Sequence, residues 1–356
     1  MENNNAIIIV GAGCIGLCTA YELSKSFDDQ ERMPRIIVAE ACDRPFAAAS
    51  SACTGDGKGL ERLPNWIKTE TSWDVDNQVL GVNTATVNPL GLGKWLTQQC
   101  LARGVRIMLN SEILGVELPT LNGLQAITLR INSQQKATIA CKQMLLACGP
   151  WTPTVFQRLF PAAPIRLRWT TDAGDWIIFR NPRLATLEST AFVSFEPLIG
   201  EKFEFAGRND GTIWACGRRN FEATLPSPGQ SNEPDQELIQ EISELAHKWL
   251  NLNCTHPEWH CDDVQILGKG RAFRRATESG LPVMSEVTSS GISPKDASVP
   301  TGIFVCWGHG SWGLTLGMGS GRVMSQLMRE EKPDIDISRF SLEQGTIPAE
   351  LHSKSL

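Results

Sequence analysis

One tyrosine, Tyr21, stands in a chain of 356 residues that holds 11 tryptophans and 13 phenylalanines. A substrate site here therefore has no phenol to draw on outside the first helix. No stretch of about 18 consecutive apolar residues occurs, so no segment reads as a membrane span. Basic residues do not predominate either: Lys and Arg total 33 against 39 Asp and Glu, a formal charge of −6. That excludes the basic footprint of a protein that binds nucleic acid or anionic lipid. Internal repeats and low-complexity tracts are missing. The 11 cysteines are odd in number and scattered rather than set in a disulfide framework, and no charged-then-apolar leader precedes Ala6. An intracellular, cytoplasmic protein with reduced thiols is expected. The last three residues, Lys354-Ser355-Leu356, depart from S-K-L, which counts against peroxisomal import without closing that route. Small-molecule chemistry is what these absences leave.

The chain is organised around Ala6 to Glu40. Ile7-Ile8-Ile9-Val10 has the length of a buried strand, and Gly11, Gly13 and Gly16 follow at the spacing G-x-G-x-x-G. A helical pattern opens there through Leu17, Ala20, Tyr21 and Leu23. Gly11 permits the tight turn, Gly13 lets backbone amides approach a pyrophosphate, and Gly16 lets the helix pack on the strand. Ile15 lies in the same turn. The second strand, Arg35 to Ala39, closes on Glu40, whose carboxylate can accept ribose hydroxyls and repels a 2′-phosphate. A dinucleotide other than NADP is implied.

Between these strands, SFDDQERMPR reads as a solvated loop. After Glu40 the segment RPFAAASSACTGDGKGL is rich in small residues, which suits either a loop laid against a ligand or a surface loop. VNPLGLGKWLTQQCLARGVRIML predicts a helix stopped by Gly104 and then a strand. SEILGVEL, LQAITLRI and Gln143 to Ala147 read as further strands, the last ending in Cys148-Gly149-Pro150-Trp151-Thr152. From Pro161 to about Val264 the strands IRLRW, DWIIFR, TAFVSFEP, KFEFAG and GTIWACGRR predict a second, mainly antiparallel sheet. PDQELIQEISELAHKWL is its amphipathic helix. Cys254, His256, His260 and Cys261 lack the pairing of structural zinc sites and read as a loop, so no metal is expected. Near the C-terminus, GKGRAFRRATESGLP carries Arg271, Arg274 and Arg275. GIFVCWGHGSWGLTLGMGSGRVMSQLM reads as strand, Gly-rich turn and helix, a second place where amides point at an electron-rich group.

Taken in order, VGAGCIGLCTAYEL, AE at Ala39-Glu40, AASSACTG, LLACGPWT, GRNDGTIWACG, FRRATESGLP, GHGSWGLTLG and DISRFSL resemble the D-amino acid oxidase superfamily of flavoproteins. GHGSWGLTLGMGSGRV is most similar to its fungal Tda3-like branch. The resemblance implies an α/β fold: a Rossmann-like, doubly wound FAD-binding domain (1–56, 86–160 and 264–345) and an antiparallel substrate domain (57–85 and 161–263), with a tail at 346–356. It implies FAD held by Gly11, Gly13, Ile15, Gly16 and Glu40 at the ADP end. Ser50 and Ser51 then lie along the flavin, Ile113 meets adenine, and Gly149 and Trp151 form a corner. Gly308, His309, Gly310, Trp312, Gly313, Leu314 and Thr315 lie under the isoalloxazine. Arg274 matches the arginine that binds a substrate carboxylate in glycine oxidase-like members; a surface or pyrophosphate-facing role is the alternative. His309 fits packing and hydrogen bonding in the flavin turn better than general-base work.

The family phrase R-P-x-T-x-D-G reads here Arg274-Arg275-Ala276-Thr277-Glu278-Ser279-Gly280, without its Pro and Asp. The lone Tyr21 disfavours a free α-amino acid held by tyrosines. No cysteine falls between Cys261 and Cys306, so a covalent flavin link of the sarcosine-oxidase type is not expected. The implied activity is oxidation of a C–N bond of an amine or amino-acid-like substrate to an imine, with O2 as acceptor and H2O2 as product. Pocket-lining candidates are Trp176, Phe203, Trp214 and Phe273. A flavin dehydrogenase, a natural-product enzyme or a flavin-bound scaffold are the alternatives, and a monomer or homodimer is expected.

Overall fold

The computed structural model describes residues 6–27, 33–48, 65–68, 87–118, 123–170, 172–181, 192–198, 201–208, 210–230, 233–252, 265–293, 300–342 and 346–348. β1 (Ala6–Val10) is a run of five buried apolar residues, as a strand covered on both faces requires. α1 (Cys14–Lys25) returns the chain to β2 (Arg35–Ala39), which pairs parallel with β1. α2 (Pro89–Ala102), capped by the Asn88 side chain accepting from the Gly91 N–H at 2.9 Å, leads to β3 (Arg106–Met108). β4 (Ser111–Glu117), β5 (Ala126–Ile131) and β6 (Gln135–Ala140) form an antiparallel meander. β7 (Gln143–Leu146) then re-enters the first sheet on the other side of β1.

The chain goes on through α3 (Thr152–Leu159) and β8 (Ile165–Leu167) into the second sheet. That sheet contains β9 (Ala173–Arg180), β10 (Phe192–Leu198), β11 (Glu201–Gly207) and β12 (Thr212–Asn220), followed by α4 (Gln236–Trp249) and β13 (Ile266–Phe273). Its order is β10-β11-β12-β9-β13, antiparallel throughout. β14 (Val283–Thr288), the short α5 (Ser289–Ile292), β15 (Pro300–Trp307) and α6 (Gly313–Met328) return to the first unit. β16 (Thr346–Pro348) pairs with β8.

The first sheet has the order β14-β15-β7-β1-β2-β3. All of its pairings are parallel except that of β14. The carboxyl ends of β15, β7, β1, β2 and β3 therefore share one edge. Because the chain leaves β1 toward β2 and later returns to β7, the direction of winding reverses between β1 and β7, where a doubly wound sheet opens a ligand crevice. The expected doubly wound α/β unit beside an antiparallel sheet is what the structure shows. One strand falls elsewhere than the sequence suggests. β13, grouped with the nucleotide-binding segments when 264–345 is read as one piece, hydrogen-bonds to β9 in the second sheet.

The second sheet buries one face under α4. Ile177, Phe179, Phe203, Phe205, Ile213 and Ala215 meet Ile239, Ile242, Ala246 and Trp249 of the helix, and Trp66 and Ile67 join them. The period of two then sends Trp176, Ile178, Ala206, Trp214 and Cys216 to the opposite face. Phe203 is thus a core residue under α4 and not a candidate pocket lining, and Phe273 packs with Ala173 and Ala223. Trp176 and Trp214 lie on the opposite face, where Trp214 is itself buried and Trp176 packs against its cluster.

α6 lies against α1 at glycine distance. A Cβ at Gly321 would sit 2.6 Å from the Cys18 carbonyl carbon, and one at Gly317 would collide with the Cys14 sulfur. Cys18 Sγ, in turn, donates to Met318 Sδ at 3.5 Å. In contrast, a Cβ at Gly319, also in α6, meets nothing within 4 Å. Gly321→Ala should therefore lower stability by about 2 kcal/mol through overpacking. Gly319→Ala should raise it by about 0.5–1 kcal/mol through helix propensity. Urea unfolding of the two variants checks the pair, and equal effects would contradict the packing.

Candidate functional site

The cleft lies at the shared carboxyl edge. Gly11 has φ +109 and its Cβ would stand 2.5 Å from the Ala147 carbonyl oxygen, so β1 and β7 approach there as only glycine allows. A Cβ at Gly16 would collide with the Gly11 carbonyl. Gly13 is the N-cap of α1; it gives no side-chain cap, and no acidic residue occupies the first turn. The helix thus presents bare N–H groups and its positive end to the cleft.

Glu40 follows β2 and ties this turn down: one carboxylate oxygen accepts from the Ala12 N–H at 2.6 Å and the other from the Cys42 N–H at 2.9 Å. Gly11, Gly13, Ile15, Glu40, Ile113, Gly149 and Trp151 all line one cavity. Ile113 is 1% exposed, and its carbonyl accepts from Arg158 at 2.7 Å. Gly149 has φ +54, which lets the chain turn after β7. Ser50 and Ser51 lie outside the described residues, as do Cys254, His256, His260 and Cys261. Among the described residues there is no group of three or more His, Cys, Asp and Glu that could hold a metal.

Sequence reasoning missed part of the lining. Cys42, Ala48, Cys148, Pro228 and Gly229 also face the cavity. Adjacency to Glu40 and Gly149 could have pointed to Cys42, Ala48 and Cys148. Pro228 and Gly229 come from the other unit and carry no local signal. Burial pushes the Cys42 and Cys148 thiols each up to about 12, so neither is a nucleophile at neutral pH.

The second Gly-rich turn follows β15. Gly308 and Gly310 have φ +84 and +56, and a Cβ at Gly308 would stand 2.6 Å from the Thr277 methyl. His309 between them is buried, its Nε2 lying 2.9 Å from Ser320 Oγ. Burial lowers its pKa to about 4, which keeps the imidazole neutral. Trp312 caps α6 without a side-chain bond and is 57% exposed; no acid occupies the first turn, so Gly313, Leu314 and Thr315 begin a second uncapped helix end.

Ala276 forms bridges to both Thr170 and His309, which brings the end of β13 to this turn. The three arginines of that segment separate there. Arg271 is held bidentately by buried Asp175, at 2.9 and 2.8 Å. Arg275 stacks on Trp169 at 4.6 Å from its centroid and donates to the Pro150 carbonyl at 3.2 Å. Arg274 lies over Gly174, on the face of β9 that carries Trp176. Its Nη2 is 3.8 Å from Asp172, a carboxylate already bound by Arg219, and its buried Nε has no hydrogen-bond partner among the described residues. Arg275 likewise keeps a buried Nε without a partner among the described residues, so what sets Arg274 apart is its place over Gly174.

Two uncapped helix ends and the Glu40 carboxylate on one sheet edge have the form of a dinucleotide-binding fold. Residues 59–327 match the family model of the FAD dependent oxidoreductases (DAO), and the chain belongs to that family. It is 24% identical over 195 residues to "Putative oxidoreductase C1F5.03c" of Schizosaccharomyces pombe, covering 52% of this chain and 41% of that protein. With "Putative oxidoreductase TDA3" of Saccharomyces cerevisiae it shares 23% identity over 188 residues, covering 52% and 31%. These matches span less than half of either fungal protein.

Among solved structures, glycine oxidase from Bacillus cereus superposes with a TM-score of 0.62 at 15% identity, covering 92% of this chain and 96% of that one. L-proline dehydrogenase from P. horikoshii superposes with a TM-score of 0.65 at 11% identity, covering 96% and 98%. These likenesses speak for the fold. No helix among the described residues is long and apolar enough to cross a membrane.

Gly13→Val should abolish flavin binding by blocking backbone approach to the pyrophosphate, and stoichiometric flavin in the purified variant would refute this. His309 offers a second check. With its pKa near 4 in the folded chain against 6.5 ordinarily, the unfolded chain binds the extra proton between those values. Stability should accordingly fall as pH drops from 6.5 toward 4, by up to about 3 kcal/mol from this group. Urea titrations at several pH values should show that loss in the parent and a flatter profile in His309→Asn.

Proposed function

We propose that this FAD-dependent oxidoreductase oxidises a C–N bond of an amine or amino-acid-like substrate to an imine, with O2 as acceptor and H2O2 as product. The observation that carries the reading is Arg274: a partly buried guanidinium with an uncommitted Nε, two residues before the Ala276 that bridges to His309. A guanidinium there can fix a substrate carboxylate and orient the neighbouring C–H. FAD, held non-covalently, supplies a two-electron acceptor for hydride when bound. As the hydride leaves, the lone pair of a neutral amine forms the C=N bond, so no protein base is required. Overall, substrate and O2 become imine and H2O2, and water can then hydrolyse the imine.

The chain's own residues have distinct tasks in this reading. Amides at the start of α6 favour negative charge developing beside them. Neutral His309, on Ser320, holds the turn in shape rather than moving a proton. Trp176 and Trp214 give the substrate an apolar roof. The reading includes the FAD-binding and substrate domains as separate units, Ser50 and Ser51 along the flavin, and action in the cytoplasm.

The likeness to a protein named L-proline dehydrogenase favours a second reading, in which electrons pass to an acceptor other than O2. Substrate-reduced flavin separates the two: rapid aerobic reoxidation with one peroxide per turnover supports an oxidase, and slow reoxidation without peroxide overturns it. Arg274→Ala should raise KM for carboxylate-bearing amines at least tenfold more than for plain amines, since a charged hydrogen bond is worth about 1.5–3 kcal/mol. Equal effects on both classes would remove Arg274 from the substrate site.

A further inference from the structure

The cofactor cleft has a wall that the nucleotide-binding unit does not supply. After β12 the chain runs through Leu225 to Gln230 before reaching α4, and Pro228 and Gly229 of this loop line the same cavity as Gly13, Glu40 and Ile113. Three contacts fasten it. The Trp151 indole N–H donates to the Pro226 carbonyl at 2.6 Å, from a side chain only 9% exposed. Gly229, at φ +80, lies so close to the segment after β2 that a Cβ would stand 2.9 Å from the Ala41 carbonyl oxygen. Leu225 packs into the core of the first sheet and against the Ala173–Ala223–Phe273 cluster of the second.

The loop is also closed on itself. Gln230 N–H donates to the Ser227 carbonyl at 3.1 Å, and its side-chain oxygen accepts from the Ser227 N–H at 3.3 Å. A short turn of this kind holds its shape without help from the cleft, and its two anchors decide only where it sits.

We propose that Leu225–Gln230 is a strap closing the adenosine end of the FAD site, anchored by Trp151 and by the Gly229–Ala41 contact, and that its opening sets how fast the cofactor leaves. Trp151 lines the cavity itself, and through Pro226 it also positions the strap. The second unit contributes to cofactor retention as well as to the substrate roof. The inference takes from the family assignment only that FAD occupies this cleft; it is independent of which substrate is oxidised.

The test is the rate of FAD release from purified holoprotein after dilution, read by the rise in flavin fluorescence, with no turnover involved. Trp151→Phe keeps a ring and deletes the N–H. It should bind FAD one to one and release it about fivefold faster, the weight of one hydrogen bond. Gly229→Val, which forces the strap off Ala41, should speed release at least as much. The double variant should release FAD no faster than Gly229→Val alone, because both act on one strap. Both substitutions cost the apoprotein some stability, Trp151→Phe through a cavity and Gly229→Val through strain at φ +80, so release is measured well below every variant's unfolding midpoint. Release within about twofold of the parent in both single variants would overturn the strap, as would apoprotein destabilisation large enough to account for the loss. A parent protein that takes up no FAD would overturn the cofactor site and the strap together.

Discussion

The architecture rests on backbones that approach more closely than side chains permit. At Gly11 the turn after β1 meets β7; at Gly16 the first helix meets that same turn; at Gly317 and Gly321 the last helix meets the first. These contacts form a series. The first sets the crevice in the sheet, the second fixes where α1 aims its amides, and the others set α6 beside α1, so that both uncapped ends are held by one column of glycines. Interiors packed at this density do not deform gradually, and a Cβ anywhere in the series displaces the next member. Two electron-rich groups far apart along one ligand can thereby be served by helix ends that are about 300 residues apart in the chain.

Electrostatics in the second unit work by sorting. Three arginines within five residues read alike in sequence, yet each meets a different environment. Arg271 is paid in full by Asp175, Arg275 has a ring and a carbonyl, and Arg274 shares an already engaged Asp172. Arg274 and Arg275 both keep a buried Nε without a partner among the described residues, and of the two it is Arg274 that lies over Gly174 in the second sheet. Charge so placed is costly without an anion and effective with one.

Much of this was legible in the residues. Period and composition revealed both sheets, α4 and the two Gly-rich turns, because buried parallel strands and amphipathic helices leave strong patterns. Glu40 was legible as the acid that follows β2, but its bonds to the Ala12 and Cys42 N–H groups were not, since they depend on how the turn folds back. The meander strand Gln135–Ala140 escaped notice because it is polar and half exposed, and β13 because its glycines and basic residues resemble a loop. Phe203 and Trp214 looked equivalent as aromatic residues on neighbouring strands; register alone sends them to opposite faces. The contribution of Pro228 and Gly229 could not be read at all, since it depends on how two units meet and not on any spacing within one.

The bridge of Ala276 to Thr170 on one side and His309 on the other is made by main chain. The spacing between the end of β13 and the turn after β15 is thus fixed by atoms that every residue possesses. Side chains around it, including those from Arg274 to Gly280, can change without altering that spacing. The bridge thereby separates dimension from chemistry: the spacing of the three segments is set by main chain, and the character of the walls by side chains.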